Sequence, residues 1–251
     1  MKFDKKDVIV ARSYKTVYKV EDKVIKVFDK KHPKADVFNE ALNQARVEET
    51  GLNVPKVTEV SEVNGQWAIA TEFVEGKTLA DIMVADKKNA EKYMDQFVDL
   101  QLEIHSKKAP LLNKLKDKLA RQINGLTDID ATTRYELLTK LEGMPKHAKV
   151  CHGDFNPSNV IIDKNGKFAI IDWAHATQGN ASADAAMTYL LFALENEELA
   201  KMYMNLFCKK SDTAKQYVDK WLPIVAAAEL AKGKKEEKEF LLKWIDVVEY
   251  E

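Results

Sequence analysis

The hydrophobic period of this chain changes near residue 76, and that change limits the folds open to it. Up to residue 73, short runs alternate β-branched and polar residues. DVIVA (7–11), TVYKV (16–20) and VIKVF (24–28) read as strands, with Glu21-Asp22-Lys23 as a turn. VTEVSEVNGQWAIATEF continues the pattern through Asn64-Gly65, a dipeptide suited to the left-handed backbone of a tight hairpin. Between these runs, residues 34–50 predict a helix with Ala35, Phe38, Leu42, Ala45 and Val47 as its apolar stripe; Gly51 stops it and Pro55 follows. The pattern predicts a twisted antiparallel sheet of about five strands carrying one helix.

Beyond Gly76 the apolar residues recur at helical spacing, with Met94, Phe97, Val98 and Leu102 in 88–106, and Leu112, Leu115, Leu119 and Ile123 in 111–123. Stretches 132–142, 181–208, 212–231 and 236–248 have the same character. The exception is NVIIDKNGKFAIIDW, which predicts a second hairpin turning at Lys164-Asn165-Gly166. The expected class is α+β: a small antiparallel β lobe, residues 1–73, joined at TEFVEG (71–76) to a larger, mainly helical lobe, residues 74–251.

A chain of 251 residues can bury the core that two such lobes need. Its 45% hydrophobic and 31% charged residues are ordinary for a soluble protein. The net charge of −1 gives no overall field to draw nucleic acid or an anionic membrane, so neither is an expected partner. Lys107-Lys108 and Lys234-Lys235 read as solvated helix faces. Cys151 and Cys208 are too few and too isolated for a disulfide framework or a zinc site, and they suit a reducing cytosol. MKFDKKDVIV lacks the apolar core of a signal peptide, and WLPIVAAAELA (221–231) is too short to cross a bilayer. A cytoplasmic location is expected; the oligomeric state is not legible.

The chemistry concentrates in CHGDFNPSNV (151–160) and IIDW (170–173). Asp154 and Asn159 fall on a loop before the second hairpin, and Asp172 closes it. A hairpin returns the chain to its start, which makes Asn159 and Asp172 neighbours. A carboxylate and an amide oxygen suit Mg²⁺, which takes few protein ligands and fills its octahedral shell with water and substrate phosphates. Asp154 is then placed to accept a proton from an attacking hydroxyl.

HGDFNPSN, followed by a strand pair and IDW, resembles the catalytic and metal-binding loops of the protein-kinase-like superfamily, in its aminoglycoside phosphotransferase and choline kinase branch. The resemblance implies that Asp154 is the catalytic base, that Asn159 and Asp172 hold Mg²⁺, and that His152 braces the loop. It also implies that Lys26 in VIKVF grips nucleotide phosphates and that Glu40 orients this lysine, while Glu48 and Glu49 on the same helix are solvated. TEFVEG is similar to the family's hinge, which binds adenine through backbone groups near Glu72 and Val74. The loop ARSYKTVY (11–18) has no glycine where protein kinases carry GxGxxG. Ser13 with Val17-Tyr18 resembles the looser phosphotransferase version. Asp184 matches an anchoring aspartate of the family, though a plain N-cap explains it equally; His105 reads as structural, and His175 and the tryptophans as core or surface residues.

The implied activity is ATP- or GTP-dependent, Mg²⁺-assisted transfer of the γ-phosphoryl group to a hydroxyl of a small molecule, an aminoglycoside, amino alcohol or sugar-like compound. Phe155-Asn156 follows Asp154 where protein kinases usually place a lysine, and the stretch from Asp172 to Asp184 has no A-P-E, which disfavours a peptide acceptor. Glu195, Glu197 and Glu198, or Glu249 and Glu251, are candidates for an acidic pocket that would hold a polycationic acceptor. The alternatives are a catalytically silent, kinase-like nucleotide-binding protein and a protein kinase.

Overall fold

The computed structural model describes Met1 and residues 3–245; Glu249, Glu251 and the end of the helix predicted over 236–248 lie outside the described residues. In chain order the elements are β1 (Val8–Ala11), β2 (Lys15–Val20), β3 (Lys23–Phe28), α1 (Lys34–Glu48), β4 (Val57–Val63), β5 (Gln66–Glu72), β6 (Lys77–Thr78) and α2 (Leu79–Ala85). Then follow α3 (Ala90–Ser106), α4 (Leu115–Asn124), α5 (Ala131–Gly143), β7 (Lys149–Cys151), β8 (Val160–Ile162), β9 (Phe168–Ile170) and β10 (Thr177–Gly179). The chain continues with α6 (Ala181–Glu195), α7 (Glu197–Ser211), α8 (Lys215–Asp219), α9 (Leu222–Leu230) and α10 (Lys238–Ile245). It forms two compact units: Met1–Ala85 with Pro157–His175, and Asp86–Asn156 with the chain from Ala176.

The first unit holds a five-stranded antiparallel sheet in the order β1-β2-β3-β5-β4. Its tight turns use left-handed backbone at Glu21 (φ 53°), Asn64 (φ 52°) and Gly65 (φ 75°), as the turn residues predict. One sheet face buries Ile25, Val27, Ala68 and Ala70 under Phe3, Tyr18, Val20 and Val63; the other packs Phe28 and Ile69 against Val37 and Ala41 of α1.

Helix α1 turns a different face inward from the one its apolar spacing predicts. Val37, Ala41, Asn43, Gln44 and Val47 are buried, whereas Ala35, Phe38, Leu42 and Ala45 are exposed. Polar partners set this rotation: the Gln44 amide donates to the Pro55 carbonyl at 2.6 Å and the Asn43 amide to the Ala174 carbonyl at 3.1 Å. Buried amides need such bonds, while Phe38 finds shelter edge-on to Trp67. Glu48, expected to be solvated, accepts the Val57 N–H at 2.8 Å and ties α1 to β4.

The second predicted hairpin forms as β8 and β9, with Gly166 left-handed in its turn (φ 78°). It joins the first unit because β6 pairs with β8, Lys77 opposite Ile162 and Thr78 opposite Ile161. Gly76 makes that approach feasible: a Cβ there would lie 2.3 Å from the Ile162 carbonyl oxygen. Contacts therefore group the chain differently from the expected boundary after residue 73, with the link and α2 inside the first unit.

The second unit is helical apart from the β7–β10 pair. Met94, Phe97 and Val98 of α3 and Leu115, Leu119 and Ile123 of α4 are buried, as their spacing predicts. The run 181–208 breaks at Asn196, whose side chain accepts the N–H groups of Glu198 and Leu199 and starts α7. The run 212–231 divides into α8 and α9, and a proline opens α9. No helix among the described residues is long and apolar enough to cross a membrane.

Candidate active site

Lys26 lies on β3 with its Nζ 2.7 Å from Glu40 Oε1 and 2.8 Å from Asp172 Oδ1. Three distant stretches of sequence thus converge on one ammonium within the first unit: β3, α1 and the residue after the second hairpin. Burial alone would lower the Lys26 pKa, but Asp172 and Glu40 outweigh it and hold the ammonium well above its ordinary value. The lysine is therefore a fixed positive charge at neutral pH.

Asp172 adopts left-handed backbone (φ 64°), uncommon for a residue with a side chain. Asn159 lies across the hairpin, its carbonyl accepting the Ile171 N–H at 2.9 Å, so the hairpin does return the chain next to Asp172. A carboxylate and an amide oxygen are hard donors, suited to Mg²⁺ rather than to zinc. Among the described residues no three His, Cys, Asp or Glu side chains form a metal cage, so an ion here would draw the rest of its shell from phosphates and water.

Lys15, unremarked in the sequence, shares this site. Its side chain is 8% exposed and its Nζ stands 3.6 Å from Asp172 Oδ2. A register signal for it existed: Val17 pairs with Lys26, and Lys15 pairs with Phe28, so Lys15 shares the sheet face of Lys26. Ser13, the expected phosphate contact, is exposed and lines a cavity of about 270 Å³ with Phe3, Tyr18 and Val27. Lys15 lines the same cavity, and no contact joins Ser13 to Lys26 among the described residues.

In the link, the Glu72 N–H donates to the Lys56 carbonyl at 2.9 Å and the Phe73 N–H to the Asp22 carbonyl at 2.7 Å. The Glu72 carboxylate also accepts the Lys56 N–H. No hydrogen bond from the Val74 N–H is found among the described residues.

Asp154 belongs to the second unit, at the end of a loop held from below. Phe155 is fully buried and stacks on Phe97 at 4.3 Å, fixing the residue next to Asp154 in the core. His152 is buried and its Nδ1 accepts the Asp154 N–H at 3.3 Å, a bracing role. The Asn156 amide donates to the Asp154 carbonyl at 3.1 Å. Asp184 accepts the Gly153 N–H at 2.7 Å and the His152 N–H at 3.2 Å, and its Oδ2 lies 2.9 Å from His105 Nε2. Asp184 is thus an anchor, and the N-cap of α6 is Asn180.

A second charged cluster escaped sequence reading altogether. Glu229 is 1% exposed at the end of the apolar helix α9, with Lys232 Nζ at 2.6 Å and Lys234 Nζ at 3.7 Å. Burial and the neighbouring charge of Lys232 push the Lys118 ammonium down to about 8, against the pull of Glu229, Asp184 and Asp154. Glu195, Glu197 and Glu198 are exposed, and Glu197 pairs with Lys201 at 2.7 Å, so they form a solvated helix junction rather than an acidic pocket.

The fold has solved counterparts. A thermostable mutant of the aminoglycoside phosphotransferase APH(4)-Ia superposes with a TM-score of 0.71 at 16% identity, over 95% of this chain and 92% of that one. The streptomycin–ATP–APH(2")-IIa ternary complex gives 0.62 at 15% identity, over 95% and 89%. A choline/ethanolamine kinase family protein from Mesorhizobium loti gives 0.61 at 14% identity, over 94% and 83%. Identities this low establish a shared fold. No curated protein sequence matches the chain. Residues 9–217 match the sequence model of the phosphotransferase enzyme family, and the chain belongs to that family.

Proposed function

We propose that the protein is a small-molecule kinase that moves the γ-phosphoryl group of ATP or GTP to a hydroxyl, using Mg²⁺ held at Asn159 and Asp172. The observation that carries this reading is the convergence of Glu40 and Asp172 on Lys26. That arrangement presents an oriented cation for phosphates beside a carboxylate for a metal. Structural relatives in complex with AMP-PNP and hygromycin B, or with ADP and hygromycin B, support a nucleotide donor and a small-molecule acceptor.

In this reading the acceptor hydroxyl gives its proton to the Asp154 carboxylate. Its oxygen bonds to the γ-phosphorus, the bond from that phosphorus to the β-bridging oxygen breaks, and the nucleoside diphosphate leaves with the electron pair. Lys26 holds the non-transferring phosphates, and the Val74 N–H serves the base. Bound Mg²⁺ would neutralise charge on the phosphate oxygens. The span from Asp172 to Asp184 is filled by the Trp173–His175 turn, β10 and the Asn180 cap, which favours a small acceptor over a peptide.

Turnover of Mg·ATP and Mg·GTP against amino sugars, amino alcohols and sugars tests the reading. Asp154→Asn should bind nucleotide nearly as the parent does while losing about a hundredfold or more in rate, since general-base help supplies roughly 10²–10⁴. Full turnover by Asp154→Asn would remove the base assignment. Tight Mg·ATP binding with no product across the panel would instead favour a silent nucleotide-binding protein.

A further inference from the structure

The connection between β1 and β2 is short and contains no glycine. β1 ends at Ala11 and β2 begins at Lys15, and the turn between them is closed by the Arg12 N–H donating to the Lys15 carbonyl at 2.8 Å. No glycine in it allows backbone N–H groups to close onto phosphates. Yet β2 begins with a lysine turned inward, 8% exposed, whose acidic partner among the described residues is Asp172. A buried ammonium needs an anion. At 3.6 Å the contact with Asp172 is long, and the other Asp172 oxygen is already held by Lys26 at 2.8 Å.

We infer that Lys15 is a second phosphate-binding lysine, which supplies from β2 the positive charge that a glycine-rich loop would supply through its N–H groups. The inference rests on the nucleotide-site reading of Lys26 and Asp172. The charge balance argues for it. Lys15 and Lys26 stand against Glu40 and Asp172, two cations and two anions. Once Asp172 serves a divalent cation, Lys26 retains Glu40, but Lys15 loses its acid. The β- and γ-phosphate oxygens are anions of the right kind to take that place. Lys15 therefore pairs with Asp172 before the nucleotide arrives and with phosphate afterwards.

A purely structural Lys15 would only steady Asp172, and the two roles differ in sign toward metal. If Lys15 competes for Asp172, Lys15→Met should leave Mn²⁺ binding to the nucleotide-free protein as tight as in the parent, or tighter. If Lys15 braces Asp172, Mn²⁺ binding should weaken. Calorimetry with Mg·ATP, ADP and AMP completes the test. Lys15→Met should lose about 10–100-fold in affinity for Mg·ATP, the range of a hydrogen bond to a charged group, with much less loss for AMP. Lys15→Arg, which keeps the charge, should recover most of the ATP affinity and guards against misfolding of the Met variant. Unchanged ATP affinity in Lys15→Met would overturn the inference while leaving the kinase reading in place, as would equal losses for ATP and AMP together with weakened Mn²⁺ binding. A parent protein that binds no nucleotide would overturn both.

Discussion

The carboxylate of Asp184 holds the backbone of Gly153: Oδ1 accepts the Gly153 N–H at 2.7 Å from the first turn of α6. Gly153 needs left-handed backbone (φ 78°), and Asp154 follows directly. A loop bent that way gains from a strong acceptor, and a buried carboxylate bonded by backbone N–H groups and a histidine is one. Asp184 therefore holds the backbone that leads into Asp154.

Asp184→Asn should separate positioning from chemistry. The amide oxygen can serve one of the N–H groups of His152 and Gly153 well, and its NH₂ faces donors. We expect a stability loss of about 2–3 kcal/mol, read by urea denaturation, from charged hydrogen bonds lost in a buried place. Turnover should fall more than Mg·ATP affinity. Burial raises the Asp184 pKa, but His105 and the Gly153 N–H outweigh it and hold it below the usual carboxylate value. Its contribution is then full above a pH of about 4 and lost as pH falls through the lower folded value. Acid denaturation of the variant should be shallower in that range; an unchanged curve would refute the anchor.

Lys26→Met should raise the Kd for Mg·ATP and lower kcat together, because an ammonium on the phosphates acts in both ground and transition states. Removal also leaves Glu40 and Asp172 as two carboxylates without their shared cation. Glu40→Gln should give a milder form of the same defect, since the ammonium itself remains. The raised Lys26 pKa means that its stabilising contribution persists through neutral pH and is lost only above the ordinary lysine value of about 10.4. Nucleotide affinity should show no loss from this group between pH 6 and 9; a fall in that range absent from Lys26→Met would contradict the assignment.

Lys118 carries the opposite sign. Its folded pKa, pushed down to about 8, lies below the unfolded value, so the unfolded chain binds the proton more tightly. Stability should therefore rise as pH climbs through 8. The buried Cys151 thiol, pushed up by burial, works against this at higher pH because only the unfolded chain ionises it readily. The difference between the parent and Lys118→Met isolates the lysine. Thermal unfolding from pH 7 to 9 should show the parent gaining on the variant, and parallel curves would show that Lys118 titrates normally.

Much of this fold was legible because its signals are local. Alternation with Asn64-Gly65 set the β4–β5 register, and helical spacing found α3 and α4. What escaped depends on partners distant in sequence. The buried face of α1 follows Gln44 to Pro55 and Asn43 to Ala174, which apolar spacing cannot show. Lys15 required the register of a neighbouring strand, not a motif. The grouping of the second hairpin with the first unit depends on the short β6 pairing beside Gly76. Glu229 lies in an apolar run of sequence, and only the fold shows Lys232 and Lys234 around it. Asp154, Asn159 and Asp172 stood out because polar residues crowd where neither helix nor strand has use for them.

The charges near Asp154 also bear on its acceptor. A polycationic aminoglycoside needs carboxylates near the base; of the acids expected to provide them, Glu249 and Glu251 lie outside the described residues and the others are exposed at a helix junction. Glu197 pairs with Lys201, and Glu195 and Glu198 lie exposed in the same helix junction. Of the two buried acids among the described residues of this unit, Asp184 holds the loop and Glu229 is matched by Lys232 and Lys234. Lys118 and Lys234 both feel the Asp154 carboxylate through space, and their positive charge is the basis for expecting an anionic or neutral acceptor over an amine. Neutral or anionic hydroxy compounds should therefore exceed aminoglycosides of similar size by about tenfold or more in kcat/KM, a difference near 1.4 kcal/mol. Lys234 is 45% exposed, so Lys234→Glu should narrow that gap by reversing an accessible charge that Asp154 feels. Raising ionic strength should narrow it too, since exposed charges are screened within about 10 Å at 0.1 M salt. An aminoglycoside turned over best by the parent, with no response to Lys234→Glu, would show that charge around Asp154 does not select the acceptor.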